Sequence, residues 1–321
     1  MSVEVVAPGV ASLLQDAGRP ALRRFGIASG GALDPWSFAL ANLLAGNAAD
    51  ACALEITLTG PTLRFHAAAR IALCGAGMEA EADGVPVPDC RPVELPAGST
   101  LRLGRCTTGA RGYLAVAGGF AVEARLGSTG TDLRGGFGGR DGRALRRGDR
   151  LPLLAATREV SALRIANWWI DPAFDQRPAG AEPLVRVLPG SDATAPDGTL
   201  HARAWRVAAD SNRQGLRLQG PALAVADPSE RISEPVLPGT VQLPPDGQPI
   251  VLLADAQTHG GYPRIGHAIR ADWPLLAQLR PGDRLRFAPC SRDEARQALQ
   301  RQRERLHTIA LAIESRRKRD D

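Results

Sequence analysis

The stretch Pro238–Arg264, PGTVQLPPDGQPIVLLADAQTHGGYPR, places an apolar run directly before a polar loop that contains two adjacent glycines. Residues 250–253 are consecutive branched apolar residues between turn residues, which is typical of a buried strand. Gly260 and Gly261 permit positive φ and let a ligand approach the backbone closely. Polar side chains on a loop that a rigid strand holds commonly form a binding site. The alternative is a tight polar hairpin without a ligand, because glycine pairs also mark ordinary turns.

Length and composition set the broad class of the protein. The 321 residues favour two domains over one, and the hydrophobic content of 44% is ordinary for a globular chain. No apolar run of about 18 residues exists to span a bilayer. The first residues, MSVEVVAPGV, lack the pattern of a secretory signal. The sequence therefore predicts a cytoplasmic protein that does not enter a membrane.

Arginine carries almost all of the positive charge. The chain has 39 lysines and arginines, of which Lys318 is the one lysine, and its net charge is +5. The body of the chain therefore has no lysine for a phosphate loop, a Schiff base or the attachment of biotin. An anion would have to be held by arginine or by backbone amides. Aromatic residues make up only 4% of the chain, which argues against nucleic-acid binding.

The cysteines and histidines show no pattern of a disulfide framework or a metal site. The five cysteines are odd in number and contain no C-x-x-C pair, and the five histidines contain no H-E-x-x-H motif. No G-x-S-x-G motif and no Cys–His or paired-carboxylate spacing marks a catalytic group. The sequence therefore predicts no metal site and assigns no catalytic residue.

Short apolar runs between glycine and proline turns dominate the chain and predict a mainly β fold with a few helices. One helix is predicted over Asp34–Gly46, with Asp34 as the N-cap and Pro35 at the first helical position. A second helix is predicted from Ser291, where S-R-D-E matches a capping box.

The chain also repeats part of itself, which predicts two copies of one β-rich unit. The repeated patterns, each with the first residue of its two copies, are R-x-x-L-R (Arg19, Arg213), E-x4-G-x10-I-x-L (Glu55, Glu234) and G-x-x-L-x4-C (Gly98, Gly282). We place the first unit at 1–160, enlarged by the helix 34–46, and the second unit at 183–290. Residues 291–321 form a C-terminal helix and tail.

Two further glycine-rich segments carry polar residues. In the first, Gln15, Asp16 and Arg19 precede two glycines and a helix N-terminus, where backbone amides can hold a carboxylate or phosphate. The alternative is that these glycines only fit a turn. The second segment, residues 126–151, is too rich in glycine to be regular throughout. We expect it to order over a substrate or to lie in a subunit interface.

Five segments of the chain resemble one family in order, over about residues 5–295. They are PGVASLLQDAGRP, SGGALDPWSFALANLLAGN, YLAVAGGF, GSTGTDLRGGFGGRDGRALRRGD and QLPPDGQPIVLLADAQTHGGYPRIG. The family is the biotin-dependent carboxyltransferase-like family, which includes the C subunit of 5-oxoprolinase, KipA and allophanate hydrolase subunit 2. It also appears in the carboxyltransferase region of urea carboxylase.

This resemblance implies two cyclophilin-like β-barrel units, in agreement with the repeat. It implies two partners, a KipI-like B subunit of 5-oxoprolinase and its A subunit, which with this chain resemble an ATP-dependent 5-oxoprolinase that opens the 5-oxoproline lactam to glutamate. ATP would act through the assembled complex, because this chain has no phosphate-loop lysine. Biotin would take part only if a carrier supplied it in trans.

The resemblance also implies which residues contact the small-molecule substrate. We expect ligand contacts or loop-orienting roles, without assigned proton transfers, from Gln15, Asp16, Arg19, Ser128, Thr131, Gln242, Asp255, Gln257, Thr258, Gly260, Gly261, Tyr262 and Arg264.

Two departures from the family pattern fall inside these loops. The family's GSRST is Gly-Ser-Thr-Gly-Thr at 127–131, and its DRQTTGGYP is Asp-Ala-Gln-Thr-His-Gly-Gly-Tyr-Pro at 255–263. Each change removes an arginine, the side chain best suited to hold a carboxylate at two points.

Two other functions stay open at this level. The chain could be a regulatory protein of the KipA type that binds a KipI-like kinase inhibitor and has no chemistry of its own. It could also be a carboxyltransferase or allophanate hydrolase subunit that acts on a urea-like substrate.

Overall fold

The computed structural model describes residues 1–155, 157–173, 182–192, 200–224 and 232–320. The fold is mainly β with few helices, as the sequence predicts. The chain divides into two compact units: unit 1 contains Met1–Gly18, Gly30–Phe174 and Arg305–Asp321, and unit 2 contains Arg19–Ser29 and Asp175–Glu304.

This division follows contacts, whereas the sequence boundaries 1–160 and 183–290 follow the repeat. Residues 19–29 group with unit 2, and the C-terminal helix is shared between the units. Of the predicted linker 156–182, residues 156 and 174–181 lie outside the described part. The duplication stays a prediction from the sequence.

Unit 1 consists of two six-stranded sheets, one helix that follows the second strand and the C-terminal part of the last helix of the chain. Its strands are β1 Ser2–Ala7, β2 Ala11–Gln15, β3 Ala53–Thr57, β4 Thr62–Phe65, β5 Ala69–Gly75, β6 Met78–Ala82, β7 Val85–Pro86, β8 Pro92–Leu95, β9 Thr100–Cys106, β10 Arg111–Val116, β11 Arg150–Pro152 and β12 Arg164–Ile165. The strand orders are β11-β1-β4-β9-β6-β7 and β12-β8-β5-β10-β3-β2. Side chains from both sheets, including Val5, Phe65, Ile71 and Leu114, form one core cluster.

The central strands β5 and β10 are buried on both faces, which explains why they are apolar at nearly every position. Ile71 and Leu114 join the core cluster, whereas the intervening Ala72 and Tyr113 join a second cluster. That second cluster includes helix α1, Pro35–Ala45. Successive side chains of a strand point to opposite faces of the sheet. Helix α1 therefore lies on the face of this sheet that is opposite the core cluster.

A buried polar network fixes the start of α1. Asp34 caps the helix by accepting from the backbone N–H groups of Trp36 (3.1 Å) and Ser37 (3.0 Å). The Asp34 backbone N–H donates to the Tyr113 hydroxyl, which donates in turn to Glu55 Oε2, each at 2.8 Å. Burial, and then the carboxylates of Glu55 and Asp34, raise the pKa of Tyr113 well above its usual value. The tyrosine therefore stays neutral and holds the helix cap to the sheet.

Unit 2 is a closed seven-stranded barrel with a short two-stranded ribbon. Its strands are β13 Leu184–Pro189, β14 Ala204–Val207, β15 Gly215–Gln219, β16 Glu234–Pro235, β17 Thr240–Gln242, β18 Ile250–Leu252, β19 His259–Gly260, β20 Arg264–Ala268 and β21 Arg284–Pro289. The barrel order is β13-β20-β17-β18-β15-β14-β21, closed by parallel pairing of β21 with β13, and β16 pairs with β19. Trp205, Val241, Val251 and Phe287 are fully or almost fully buried inside it.

The remaining helices are short or lie at the C-terminal end. The 3₁₀ helices are Pro20–Phe25 and Arg270–Asp272, and the α-helices are α2, Trp273–Gln278, and α3, Arg292–Asp320. The predicted capping box starts α3, since Glu294 accepts from the Ser291 backbone N–H (2.7 Å) and Ser291 Oγ accepts from the Glu294 backbone N–H (3.2 Å). No helix within the described ranges is both long enough and apolar enough to cross a membrane.

A buried ion pair ties the barrel to the turn before α2. Asp272 has no exposed surface and accepts from the Arg186 backbone N–H (2.7 Å), Nε (3.0 Å) and Nη2 (2.5 Å). Arg186 lies on β13 and keeps 32% of its side chain exposed. The negative charge of the buried Asp272 carboxylate is therefore balanced by the positive charge of Arg186.

We expect Asp272→Asn to lower the free energy of unfolding by about 3 kcal/mol, because the substitution leaves the buried end of the arginine without its charge partner. Denaturant unfolding followed by tryptophan fluorescence measures the change. The control is Asp210→Asn, whose ion pair with Arg217 is exposed at both side chains, 69% and 52%, and which should change stability by less than about 0.5 kcal/mol. Equal effects of the two substitutions would contradict the role of Asp272.

Candidate functional site

The predicted site residues lie in both units. Gln15, Asp16, Ser128 and Thr131 are in unit 1, and Arg19 is in unit 2. The residues predicted from 242 to 264 are also in unit 2. We call residues 253–264, which connect β18 to β20, the Gly260 loop.

The Gly260 loop begins at a buried two-point ion pair. Asp255 Oδ2 accepts from Arg213 Nε (2.7 Å) and Asp255 Oδ1 from Arg213 Nη2 (3.0 Å). Both residues are less than a tenth exposed. The Asp255 backbone N–H also donates to the Arg213 carbonyl at 3.0 Å. Asp255 is thus occupied by Arg213 and anchors the loop rather than offering a carboxylate to a ligand.

A second arginine binds the backbone of the same loop. Arg23 Nη2 donates to the carbonyls of Val236 (2.6 Å) and Gln257 (2.8 Å), and Nη1 donates to the carbonyl of Ala256 (3.4 Å). Partial burial lowers the pKa of this guanidinium. Ala256 itself is fully buried in a small apolar cluster with Val236 and Leu252. At the position where the family pattern has an arginine, this chain therefore has a buried methyl group, and Arg23 supplies a guanidinium to the loop backbone.

Gln242 presents an unused hydrogen-bond donor to the loop. Its Oε1 accepts from Gln257 Nε2 at 3.3 Å, whereas its own Nε2 is buried and has no hydrogen-bond partner in the described part of the chain. A Cβ at Gly260 would lie 2.6 Å from this nitrogen. A side chain at position 260 would therefore displace the end of the Gln242 side chain, and the amide N–H groups of Gln242 are available to donate to a ligand.

A cavity of about 250 Å³ lies at the end of this loop, and predicted residues line it. Gly260, Gly261, Tyr262 and Arg264 contribute to the lining, together with Asp192 and Glu234, which the sequence did not predict as site residues. Tyr262 is 46% exposed.

Arg264 does not offer an unpaired positive charge in this cavity. Its Nη2 pairs with Glu234, its Nε lies 3.9 Å from Asp192 Oδ2, and its backbone N–H donates to Asp192 Oδ2 at 2.7 Å. Two carboxylates thus neutralise one guanidinium. The cavity favours a ligand that donates hydrogen bonds over one that brings only a carboxylate.

Thr258 and Arg19 hold local backbone rather than line this cavity. Thr258 Oγ1 lies 3.0 Å from His259 Nδ1, and the Thr258 carbonyl accepts from the Val236 backbone N–H. Arg19 is buried, and its backbone N–H donates to the Ser29 carbonyl at 2.7 Å. Arg19 groups with unit 2, whereas Asp16, which the sequence had placed in the same candidate site, belongs to unit 1.

In unit 1, Asp16 pins the glycine-rich segment 126–142 to the end of β2. Its Oδ1 accepts from Ser128 Oγ (2.6 Å) and from the Gly18 backbone N–H (2.8 Å). Its Oδ2 accepts from the backbone N–H (2.6 Å) and Oγ1 (3.1 Å) of Thr129. Since all these acceptor positions are filled within the chain, Asp16 holds the segment and is not poised as a general base.

Gln15 in the same unit uses its amide donor and leaves its acceptor unpaired, which is the reverse of Gln242. Its Nε2 donates to the Thr131 carbonyl at 3.0 Å, and Thr131 in turn donates to the Leu14 carbonyl from both its N–H and Oγ1, each at 2.9 Å. Gln15 Oε1 is buried without a hydrogen-bond partner in the described part of the chain. A Cβ at Gly130 would lie 2.7 Å from that oxygen. A side chain at this departure from the family pattern would therefore displace the end of Gln15.

The thiol next to this cluster is not a nucleophile at neutral pH. Burial raises the pKa of Cys52 to about 12, and the Asp16 carboxylate adds to the rise. All five cysteines are buried. In the described ranges no cluster of three or more His, Cys, Asp or Glu side chains could hold a metal ion.

Sequence reasoning missed Arg23 and Arg213, the two arginines that hold the Gly260 loop. Both belong to the repeated R-x-x-L-R pattern, at its last and first position respectively. The pattern was informative about duplication but did not indicate which backbone or carboxylate each arginine meets.

We expect Asp16→Asn to release the segment 126–142, because an amide nitrogen would face the Thr129 N–H in place of an acceptor. The cost is about 2 kcal/mol, which corresponds to roughly 30-fold faster amide hydrogen exchange. Exchange measured by mass spectrometry over this segment tests the prediction. Asp141→Asn is the control, since Asp141 lies in the same segment with a side chain 66% exposed. Unchanged protection in Asp16→Asn would show that Asp16 does not hold the segment.

The fold and these loops match known proteins. The model of the family "Carboxyltransferase domain, subdomain A and B" matches residues 25–289. The C subunit of 5-oxoprolinase from Escherichia coli is 40% identical over 318 residues, which cover 97% of this chain and 98% of the relative. The C subunit of 5-oxoprolinase from Haemophilus influenzae is 38% identical over 286 residues, which cover 88% of this chain and 89% of the relative.

A solved structure agrees with these matches. The K. lactis urea amidolyase structure is 30% identical with a TM-score of 0.84, and the match covers 95% of this chain but only 20% of that much longer chain. The family model spans most of the chain, and relatives align with it nearly end to end. The chain therefore belongs to the family of carboxyltransferase domains with subdomains A and B.

Proposed function

We propose that this chain is the C subunit of an ATP-dependent 5-oxoprolinase, which opens the lactam of 5-oxoproline to glutamate together with its A and B subunits. Two relatives with that name support the proposal, because their identity of 38–40% extends over at least 88% of the chain. The activity belongs to the assembled complex, to which this chain contributes substrate contacts.

The buried Gln242 amide is the observation that carries the proposal. A lactam presents one carbonyl oxygen and one N–H group. Gln242 Nε2 is a donor without a partner in the described part of the chain, and it suits the carbonyl. Asp192 and Glu234 in the neighbouring cavity are acceptors that suit the N–H. A site that leaves the buried Gln242 donor unpaired in the absence of its substrate selects for a ligand that pairs it.

The residues of this chain do not fit an ATP site of their own. Lys318, the one lysine, pairs with Glu314 at 2.8 Å on the exposed end of α3. No lysine therefore stands beside a glycine loop to hold phosphates. We propose that the A subunit or the KipI-like B subunit holds ATP, and that any biotin would come on a separate carrier.

A second candidate, action on a urea-like substrate, is favoured by the pairing of Arg264. Because Glu234 and Asp192 already neutralise this guanidinium, the cavity suits a neutral molecule rich in N–H donors. The K. lactis relative is a urea amidolyase. Urea carries such donors and no carboxylate.

Co-expression with homologues of the A and B subunits, followed by assays of ATP hydrolysis with 5-oxoproline and with urea, separates these functions. We expect 5-oxoproline to stimulate hydrolysis. Stimulation by urea alone would favour the second candidate. A stable complex with the B subunit that hydrolyses ATP with neither substrate would instead favour a regulatory role of the KipA type.

In the active complex, we expect Gln242→Glu to lower kcat/KM by about ten- to one-hundred-fold, because it replaces the buried amide donor with an acceptor of the same size. The matched control is Gln214→Glu, which makes the same change of charge at an exposed position of unit 2. Equal kcat/KM values for the two variants would remove Gln242 from the site. Circular dichroism and thermal unfolding establish that the variants fold.

A further inference from the structure

Unit 1 contains a cavity of about 440 Å³ that the proposed function does not use. We call it the arginine cavity. Its floor is the edge of a sheet where β12, β8 and β5 lie side by side. Residues from 157–160 and Arg317 on α3 complete the lining.

Three charged residues are in register across the floor. Arg70 on β5 pairs with Glu94 on β8, and Glu94 pairs with Arg164 on β12. Arg70 Nη2 lies 3.3 Å from Glu94 Oε1, and Arg164 Nη1 lies 3.8 Å from Glu94 Oε2. One carboxylate is thus shared by two guanidinium groups at distances longer than a good charged hydrogen bond of about 2.8 Å.

Two more arginines add positive charge without a carboxylate to balance it. Arg158 lines the cavity and has no ion pair within the described ranges. Arg317 Nη1 donates to the Gly46 carbonyl at 3.4 Å, and its Nε is buried without a hydrogen-bond partner there. The arginine cavity therefore contains four guanidinium groups against one carboxylate.

Several other arginines in the described part of the chain are paired with a carboxylate at shorter distances. Arg143 meets Asp149 at two points, each 2.8 Å long, and Arg186 and Arg213 are similarly paired with one carboxylate each. The cavity beside the Gly260 loop has the opposite balance, with two carboxylates and one arginine. Like charges gathered in a concave site repel one another and focus a positive potential, and a bound anion relieves both.

The geometry points to a binding site for a small organic anion that carries phosphate or carboxylate groups. The volume falls within the range of about 300–1,000 Å³ that is usual for metabolite sites. Ile165, Val160 and Trp168 add apolar surface to the same lining, so the ligand has an organic part besides its charged groups. Arg164 is 72% exposed, which leaves the charged floor open to solvent.

This site is independent of the proposed function. It lies in unit 1 and uses none of the residues assigned to the 5-oxoproline contacts. A failure to bind anions would not affect the role proposed for the Gly260 loop. A failure of the proposed 5-oxoprolinase function would not affect the anion site.

Titration of the full chain with pyrophosphate and with citrate tests the inference, the first as a phosphate source and the second as a carboxylate source. Calorimetry measures affinity, and tryptophan fluorescence reports on Trp168. We expect one or both anions to bind, and the double variant Arg158→Ala/Arg164→Ala to bind about ten-fold more weakly or worse. We expect Glu94→Gln to bind more tightly, because it removes the one carboxylate that competes with the anion among the lining residues.

The controls make the same kinds of substitution at a remote ion pair. Arg102 and Glu81 form an exposed ion pair on the other sheet of unit 1, with side chains 69% and 46% exposed. Arg102→Ala should bind like the unmodified chain, and so should Glu81→Gln. The inference is overturned if neither anion binds at about 50 mM salt, or if the remote variants change affinity as much as the cavity variants. Binding of polyglutamate together with failure of both small anions would overturn it in favour of an acidic protein surface.

Discussion

The two-point pair between Arg213 and Asp255 is the interaction on which the Gly260 loop depends. Removing both charges from water is costly, and only near-ideal geometry with further hydrogen bonds offsets that cost. The distances of 2.7 and 3.0 Å and the backbone bond from Asp255 to Arg213 meet this condition. The pair fixes the point where the chain leaves β18, and everything that follows in the loop is positioned from there. Arg23 then holds the next carbonyls, so side chains with no ligand contact determine where Gly260 lies.

The near absence of lysine is consistent with loops that are held by arginines through several hydrogen bonds each. A guanidinium can bind a carboxylate at two points, as Arg213 does, or several carbonyls at once, as Arg23 does. An ammonium group offers no planar fork for either arrangement. The same property means that an unbalanced arginine is informative in this chain. Three buried carboxylates, those of Asp149, Asp255 and Asp272, each have a close arginine partner, whereas the four arginines that line the arginine cavity share Glu94 as the one acidic lining residue.

The features that the sequence predicted correctly depend on neighbours a few residues apart. The helix from Pro35 and the capping box at Ser291 are specified by local hydrogen bonds, and the mainly β class follows from short apolar runs between turns. The loop contacts could not be predicted in this way. Arg23 meets carbonyls more than 200 residues away, and Arg264 is neutralised by Glu234 and Asp192, which lie in separate segments. Such pairings depend on how distant segments come together in the fold. A sequence motif identifies a residue but does not identify the residue that it contacts.

In each unit a strand ends with a buried glutamine that lies beside a glycine. One glutamine leaves a hydrogen-bond acceptor unpaired, and the other leaves a donor unpaired. Gln15 at the end of β2 leaves its carbonyl oxygen without a partner beside Gly130 in the described part of the chain. Gln242 at the end of β17 leaves its amide nitrogen without one beside Gly260. A buried polar atom without a partner costs about 1–3 kcal/mol. Folding alone gives no reason to retain that cost at either position, whereas a ligand that donates at one glutamine or accepts at the other would recover it. In each unit a Cβ on the neighbouring glycine would displace the end of the glutamine, so the glycine preserves the position of the unpaired atom.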